Sequence, residues 1–174
     1  MHETAEDLDA LQALLDSSYE RAGEHYKRIT TPERRLDATQ VTERLTGMTL
    51  LVLATVTADG RPLNGPVDGV FYRGSFYFGS APDSMRFRHI AQRPWVSATH
   101  LPAEELQVTV HGRAELIDVK GDSEIERGYR RTLLDIYVPR YGPQWEQFLD
   151  SGVQQARINA DRMFTFSMPD SPQL

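Results

Sequence analysis

The chain has 174 residues, which suits one domain with a core of its own. The net charge of −6 excludes a broad basic field that would gather nucleic acid, and the absence of cysteine excludes disulfides, thiol catalysis and cysteine metal sites. The acidic start, residues 1–9, is unlike a signal peptide, and the longest apolar run, Leu50–Ala54, is too short to cross a membrane. These features predict a cytoplasmic protein that binds neither nucleic acid nor membranes.

Two helices are predicted ahead of the first strand. Thr4 and Asp7 form a capping pair before leucines at helical spacing, and Asp37 with Gln40 marks a second helix start. The stripe of apolar residues on the first helix is narrow, so this helix is expected on the surface of a larger body. These segments predict a helical N-terminal extension over residues 1–46 and a main body over residues 47–170, within one structural domain.

Short strands separated by turn residues follow from Thr49 onward. The predicted strands are Leu50–Val56, Pro66–Tyr72, Ser75–Phe78, Trp95–Thr99, Leu106–Leu116, Val153–Ile158 and Met163–Met168. Helices are predicted over residues 84–92, over residues 122–137 and around Trp145 and Phe148. Gly112, in the middle of the fifth strand, indicates a bulge or a bend. This order predicts a mainly β (α+β) fold in which an antiparallel barrel carries peripheral helices.

A candidate anion site lies in the segment Gly79–His89, which follows a strand and opens a short helix. Two hydroxyls, Ser80 and Ser84, the free N–H groups of the helix start and the guanidinium of Arg86 are the donors that a phosphate needs. A helix capped by Ser84 with solvated arginines is the simpler interpretation of these residues alone, because serine caps are common.

A candidate ring site lies in the segment Asn64–Asp68. Pro66 cannot donate a hydrogen bond to a sheet, so it fits an edge or a bulge. A strand edge of this kind offers unpaired backbone groups to a planar heteroaromatic ring. An ordinary edge strand, kept from aggregating by its proline, is the alternative.

Three pieces of sequence in chain order point to a family. Residues 51–62 read Leu-Val-Leu-Ala-Thr-Val-Thr-Ala-Asp-Gly-Arg-Pro, and residues 108–116 read Val-Thr-Val-His-Gly-Arg-Ala-Glu-Leu. Between them, residues 77–97 contain Tyr-Phe-Gly-Ser, Ser-Met-Arg and Arg-Pro-Trp-Val-Ser. Together these pieces resemble the pyridoxamine 5′-phosphate oxidase-like split-barrel superfamily, which includes flavin- and deazaflavin-dependent oxidoreductases.

The resemblance implies a six-stranded antiparallel split barrel, a homodimer and a cofactor site at the subunit interface. The residues that it implies for the cofactor phosphate are Ser80, Ser84 and Arg86, with Arg88 or His89 assisting. The residues that it implies along the cofactor ring are Asn64, Pro66, Val67 and Asp68, mainly through backbone groups. Further ring contacts, from either subunit, are Trp95, Gln107 and His111.

The resemblance implies FMN as the cofactor and hydride transfer at its ring to or from a small-molecule substrate. The close alternative is the 8-hydroxy-5-deazaflavin coenzyme, because Arg86, Arg88 and Arg93 can supply a basic groove for its polyglutamate tail. Many family members have lysine at Arg86 and asparagine at His89. The C-terminal Arg- and Trp-rich motif of true pyridoxamine phosphate oxidases is not evident, so that particular reaction is not predicted.

A non-catalytic protein that holds a flavin or haem is the second functional hypothesis, since fold does not fix function. In the haem version, His89 or His111 is the axial ligand. The five histidines of the chain show no metal-binding spacing, so no metal site is predicted. An interaction module with an empty site is the third hypothesis.

Overall fold

The computed structural model describes residues 2–168. Its strands are β1 (Met48–Val56), β2 (Pro62–Tyr72), β3 (Ser75–Ser80), β4 (Trp95–Ala103), β5 (Leu106–Ile117) and β6 (Gln154–Ser167). Its helices are α1 (Ala5–Glu20), α2 (Glu24–Ile29), α3 (Ala38–Arg44), α4 (Met85–Gln92), α5 (Glu124–Tyr141) and α6 (Gln144–Asp150), with a 3₁₀ turn at Pro32–Arg34. The last two residues of the predicted main body, 169–170, lie outside the described residues.

The strands close into an antiparallel barrel in the order β1-β2-β3-β6-β5-β4, with β4 pairing back to β1. This confirms the predicted six-stranded barrel with peripheral helices. β3 pairs only with residues 69–72 of β2, whereas β1 pairs with residues 62–70 of β2. Residues 62–68 therefore form a free edge on the side of β2 away from β1, and Pro66 lies in that edge as predicted.

Alternation along the strands divides the barrel into an inner and an outer face. On β1, Leu51 and Leu53 are each 1% exposed, whereas Leu50 and Val52 are 56% and 49% exposed. The inner residues form one large core, which also receives apolar residues of α1, α3 and α4. A second, smaller core lies outside the barrel, between the β2–β3 hairpin and α5 with α6.

Local capping chemistry fixes the starts of the two predicted N-terminal helices. α1 begins with a capping box of Thr4 and Asp7, and α3 begins with one of Asp37 and Gln40, both as predicted. The Asp7 carboxylate also accepts a hydrogen bond from Arg73 Nε in the β2–β3 turn at 2.9 Å. The extension is therefore fastened to the barrel at the same carboxylate that caps α1.

The last strand differs from its prediction. Two separate strands were expected there, but β6 is continuous and carries one extra residue, Asp161, opposite the His111–Gly112 step of β5. The predicted irregularity at Gly112 is thus confirmed as a bulge in the β5–β6 pairing. The polar run Asn159–Arg162 is the bulged part of β6, which is why it resembles a turn in the sequence.

Gly112 is required by this close approach, and its replacement is expected to be costly. A Cβ at Gly112 would collide with the carbonyl oxygen of Asn159 and lie 2.9 Å from Ala160 Cα, and backbone cannot move aside as a flexible side chain can. We expect Gly112→Ala to lower the free energy of unfolding by about 2 kcal/mol, measured by urea denaturation. The control is Gly23→Ala, because no atom lies within 4 Å of a Cβ there and φ is −68°.

At Gly23, which precedes α2, the poorer capping by alanine and the reduced freedom of the unfolded chain oppose each other, so a change within about 0.5 kcal/mol is expected. Equal losses in the two variants would show that the β5–β6 approach at Gly112 is not tight.

Candidate functional site

Arg86 joins the two segments that were predicted to bind the cofactor. Ser84 is the N-cap of α4, and its hydroxyl accepts a hydrogen bond from the Phe87 N–H at 3.3 Å. From the first turn of α4, Arg86 donates through Nη1 to Ser80 Oγ at 3.3 Å and through Nη2 to the Pro66 carbonyl oxygen at 3.0 Å. The guanidinium is therefore held between the end of β3 and the free edge of β2.

Among the described residues, the charge of Arg86 has no acidic partner. The side chain is half-buried, and none of the ion pairs among residues 2–168 includes it. Burial lowers the pKa of Arg86, because removal from water disfavours the charged form. An uncompensated, partly desolvated cation favours an anion beside it, and the Ser80 hydroxyl is positioned as a further donor.

The residues predicted to lie along the ring in β2 follow the strand alternation. Asn64, Pro66 and Asp68 are exposed on the outer face, whereas Val67 is buried in the barrel core. Val67 can therefore reach a ligand only through its backbone. Asp68 also lies at the end of the free edge, next to the residues that pair with β3.

The other predicted ring residues lie on the outer face of β4 and β5. Trp95 is 55% exposed on β4. Ser97 Oγ lies 2.7 Å from His111 Nδ1, and Gln107 Nε2 donates to Thr109 Oγ1 at 2.9 Å. Because β1 and β4 intervene, the strand β5 lies three strand spacings from β2, or about 14 Å around the barrel. Within one protomer, Gln107 and His111 are therefore far around the barrel from the β2 edge that Arg86 contacts, whereas Trp95 on β4 lies two strand spacings from β2.

Arg88 and His89 are neighbours on α4 but differ in exposure. Arg88 is exposed, whereas His89 is 9% exposed and its Nδ1 lies 2.9 Å from Thr55 Oγ1 of β1. His89 therefore fastens α4 to the barrel, and its part in cofactor binding stays a prediction. His111 is the more accessible histidine; burial, followed by the positive charge of Arg162, lowers its pKa and favours the neutral ring.

A cleft of about 720 Å³, which the sequence analysis did not predict, opens beside the Arg86 site. It lies between the β2–β3 hairpin and the helices α5 and α6, and Asp68 and Ser80 line it at the side of the candidate anion site. Its helical wall is aromatic, and we call it the aromatic cleft; the wall consists of Tyr129, Tyr137, Tyr141, Trp145 and Phe148. The rings of Tyr137 and Trp145 stack with centroids 4.5 Å apart and planes 8° apart.

The aromatic cleft contains little charge. Of its described lining residues, only Asp68 is charged, and none is lysine or arginine. The Tyr129 hydroxyl donates to Gln155 Oε1 at 2.8 Å, and burial raises the pKa of Tyr129. Burial, followed by the charge of Asp68, likewise raises the pKa of Tyr137. Both phenols are therefore neutral hydrogen-bonding groups near pH 7.

Comparison with solved structures shows the same fold in other bacterial proteins. The conserved hypothetical protein Rv2991 of Mycobacterium tuberculosis has a TM-score of 0.62 and 16% identity, over 83% of this chain and 96% of that one. The haem storage protein HutZ of Vibrio cholerae has a TM-score of 0.57 and 19% identity, over 75% and 96%. An FAD-binding protein of Mesorhizobium loti has a TM-score of 0.56 and 21% identity, over 76% and 93%.

Sequence comparison identifies the family. No curated protein matches the chain. Among the described residues, no helix is long and apolar enough to cross a membrane. A family profile described as pyridoxamine 5′-phosphate oxidase matches residues 37–164, from the cap of α3 to late in β6. The match includes the whole of the predicted anion and ring segments. The chain therefore belongs to the pyridoxamine 5′-phosphate oxidase family of split-barrel proteins.

Proposed function

We propose that this chain is a flavin-dependent oxidoreductase that binds FMN, as a homodimer, in the cytoplasm. The observation that carries the proposal is the position of Arg86. Its guanidinium is half-buried, has no acidic partner in the described chain, and bridges Ser80 to the free edge of β2. A cation held in this way suits a phosphate ester whose remaining part extends along β2.

The phosphate would be held by Arg86 and by the hydroxyl of Ser80, with Ser84 and the exposed Arg88 nearby on α4. Arginine can present two parallel N–H donors to a phosphate, which fixes orientation as well as charge. The phosphate would also lie close to the start of α4, where backbone N–H groups have no helical partner. These donors support a site for the phosphate end of FMN.

The ring would be held by the free edge of β2, through backbone groups of Asn64, Pro66, Val67 and Asp68. When bound, the flavin supplies hydride transfer to or from a small-molecule substrate. The chain's own residues bind the phosphate, orient the ring and exclude water. No side chain of the described chain is assigned an acid–base role in this proposal.

A homodimer would complete the site. Trp95, Gln107 and His111 are exposed or half-buried on the outer face, where Trp95 lies two strand spacings from β2 and the other two residues lie three strand spacings from it. A second copy packed on this face would bring its own set to the ring. The hydrogen bond between Ser97 Oγ and His111 engages Nδ1 of the ring, so that Nε2 is the nitrogen left to contact the cofactor.

Two other cofactors remain as alternatives. The 8-hydroxy-5-deazaflavin coenzyme is supported by the arginines 86, 88 and 93, which lie in or just after α4. A non-catalytic haem carrier is supported by the fold shared with HutZ and by the accessible ring of His111. His89 is the weaker axial ligand, because it is buried and already paired with Thr55.

An absorbance spectrum and a native mass of the purified protein test these alternatives, before and after separate additions of FMN and the deazaflavin coenzyme. We expect a flavin spectrum and a dimer mass after FMN addition, followed by reduction of the bound flavin when a hydride donor is supplied. A Soret band would select the haem carrier. Failure to bind any of these chromophores would refute the oxidoreductase proposal.

A further inference from the structure

The aromatic cleft has a shape and a lining that select a particular class of ligand. Its helical wall presents the stacked rings of Tyr137 and Trp145, flanked by Phe148, which is 55% exposed. Across from them, the hairpin side contributes Val70 and Tyr77, which belong to the second core outside the barrel. Flat apolar walls of this kind favour a planar ring system, because offset stacking adds to the burial of apolar area.

Charge in the aromatic cleft disfavours an anion. The single charged residue of the described lining, Asp68, is itself an anion, and it would repel a phosphate or a carboxylate placed beside it. Arg140, near the end of α5, is exposed, and its Cζ lies 5.6 Å from the ring centroid of Tyr141. It does not line the cleft.

Ser80 contacts Arg86 and also lines the aromatic cleft, but the two sites differ in charge. The Arg86 site has a half-buried cation that suits a phosphate, whereas the helical wall of the cleft consists of neutral aromatic rings. We propose that the aromatic cleft is the substrate pocket of this chain and that it takes an uncharged, planar aromatic molecule, not a phosphorylated one.

The assignment of the cleft as a substrate pocket rests on the proposed function, but the ligand specificity of the cleft can be measured without redox turnover. A matched pair of probes is 2-naphthol, which is neutral at pH 7, and 2-naphthyl phosphate, which has the same ring system and an anionic group. We expect isothermal titration calorimetry on the full chain, with FMN present, to show at least tenfold tighter binding of 2-naphthol. Phe148→Ala is expected to weaken 2-naphthol binding about threefold.

Adding a positive charge to the cleft lining tests whether the two probes bind there. Ser151, exposed at the end of α6, lines the aromatic cleft, and a lysine there suits the negative end of the helix. Ser151→Lys is expected to strengthen 2-naphthyl phosphate binding about fivefold. Gln147→Lys, on the same helix but outside the lining, is the matched control and should leave both affinities unchanged, as should Arg140→Gln.

The outcomes separate this inference from the cofactor proposal. Equal binding of the two probes, or no binding of 2-naphthol, overturns the pocket assignment even if FMN binds. Mutual displacement of 2-naphthol and FMN also overturns the pocket assignment, because the cleft would then bind the flavin ring. Selective binding of 2-naphthol by a protein that does not bind FMN supports the pocket assignment and refutes only the proposal that the chain binds FMN.

Discussion

Arg86→Ala is expected to weaken FMN binding by a factor between about 10 and 100, because hydrogen bonds to a charged group contribute about 1.5–3 kcal/mol. The loss should appear in titrations that follow quenching of flavin fluorescence. Riboflavin, which carries the same ring without the phosphate, should bind the wild type and Arg86→Ala with similar affinity. The difference between FMN and riboflavin therefore isolates the contact of Arg86 with the phosphate.

Two further variants sharpen this result. Arg86→Lys keeps the positive charge but loses the forked geometry, so we expect an intermediate loss. Arg61→Ala is the matched control, because Arg61 lies in the β1–β2 turn, where it is exposed and paired with Asp59 at 2.8 Å. A loss that is equal for FMN and riboflavin, or as large in Arg61→Ala, would contradict the assignment of Arg86 to the phosphate.

Arg86→Ala is suited to a binding test because Arg86 is not part of the barrel core. Its replacement removes the hydrogen bonds to Ser80 and to the Pro66 carbonyl, but it also relieves the burial of a charge that has no acidic partner within residues 2–168. These terms oppose each other, so the free energy of unfolding without cofactor should change by no more than about 1 kcal/mol. Weak FMN binding by the variant then reports on the site and not on folding.

Features set by neighbouring residues could be predicted from the sequence. The caps at Thr4, Asp37 and Ser84 depend on a side chain and a backbone N–H three residues apart, so the pattern is visible without a fold. The strands and their antiparallel order follow from alternation and short turns, of which Arg73–Gly74 is an example with both φ values positive. A bulge or a bend at Gly112 was predicted from one glycine in the middle of an alternating strand, and the structure shows the bulge.

Features that depend on distant partners could not be predicted. Asp161 is an extra residue only with respect to the pairing of β6 with β5, and in the sequence alone its polar neighbours resemble a turn. The helix α2, which has no side-chain hydrogen bond at its cap and no buried residue, also gives no clear local pattern. Its six residues are shorter than an isolated helix needs for stability, so the surrounding fold holds it in place.

The aromatic cleft was missed for a related reason. Tyr129 and Leu133 are spaced as one face of a helix, and that spacing by itself indicates only packing. The sequence does contain an indication of the cleft, because aromatic residues continue through Tyr137, Tyr141 and Trp145. This number of aromatic residues is larger than the packing of one helix face requires. Its meaning depends on α6 folding back beside α5, which brings Trp145 onto the ring of Tyr137. The spacing of residues along the chain does not reveal that turn.

The outer face of the barrel has the composition of an interface. Its described outward-pointing residues on β2, β1, β4 and β5, which we call the outer wall, include Leu50, Val52, Asn64, Pro66, Trp95, Thr99, Leu101, Gln107 and His111. In the strand register, Val52 lies between Pro66 on one side and Thr99 on the other. The wall thus places apolar side chains at its centre and several of the predicted ring contacts around them, as expected for a site shared by two copies.

Val52→Asp is therefore expected to convert the proposed dimer into a monomer at micromolar concentration, because burying an unpaired carboxylate costs several kcal/mol and each 1.4 kcal/mol weakens association tenfold. Sedimentation velocity measures the change. The control is Ile29→Asp, since Ile29 is 44% exposed at the end of α2, outside the barrel strands. Val52 is outside the barrel core, so thermal unfolding should show a folded chain. If Val52→Asp remains a dimer that binds FMN, the second copy does not pack on the outer wall, and Trp95, Gln107 and His111 lose their assigned contact with the cofactor.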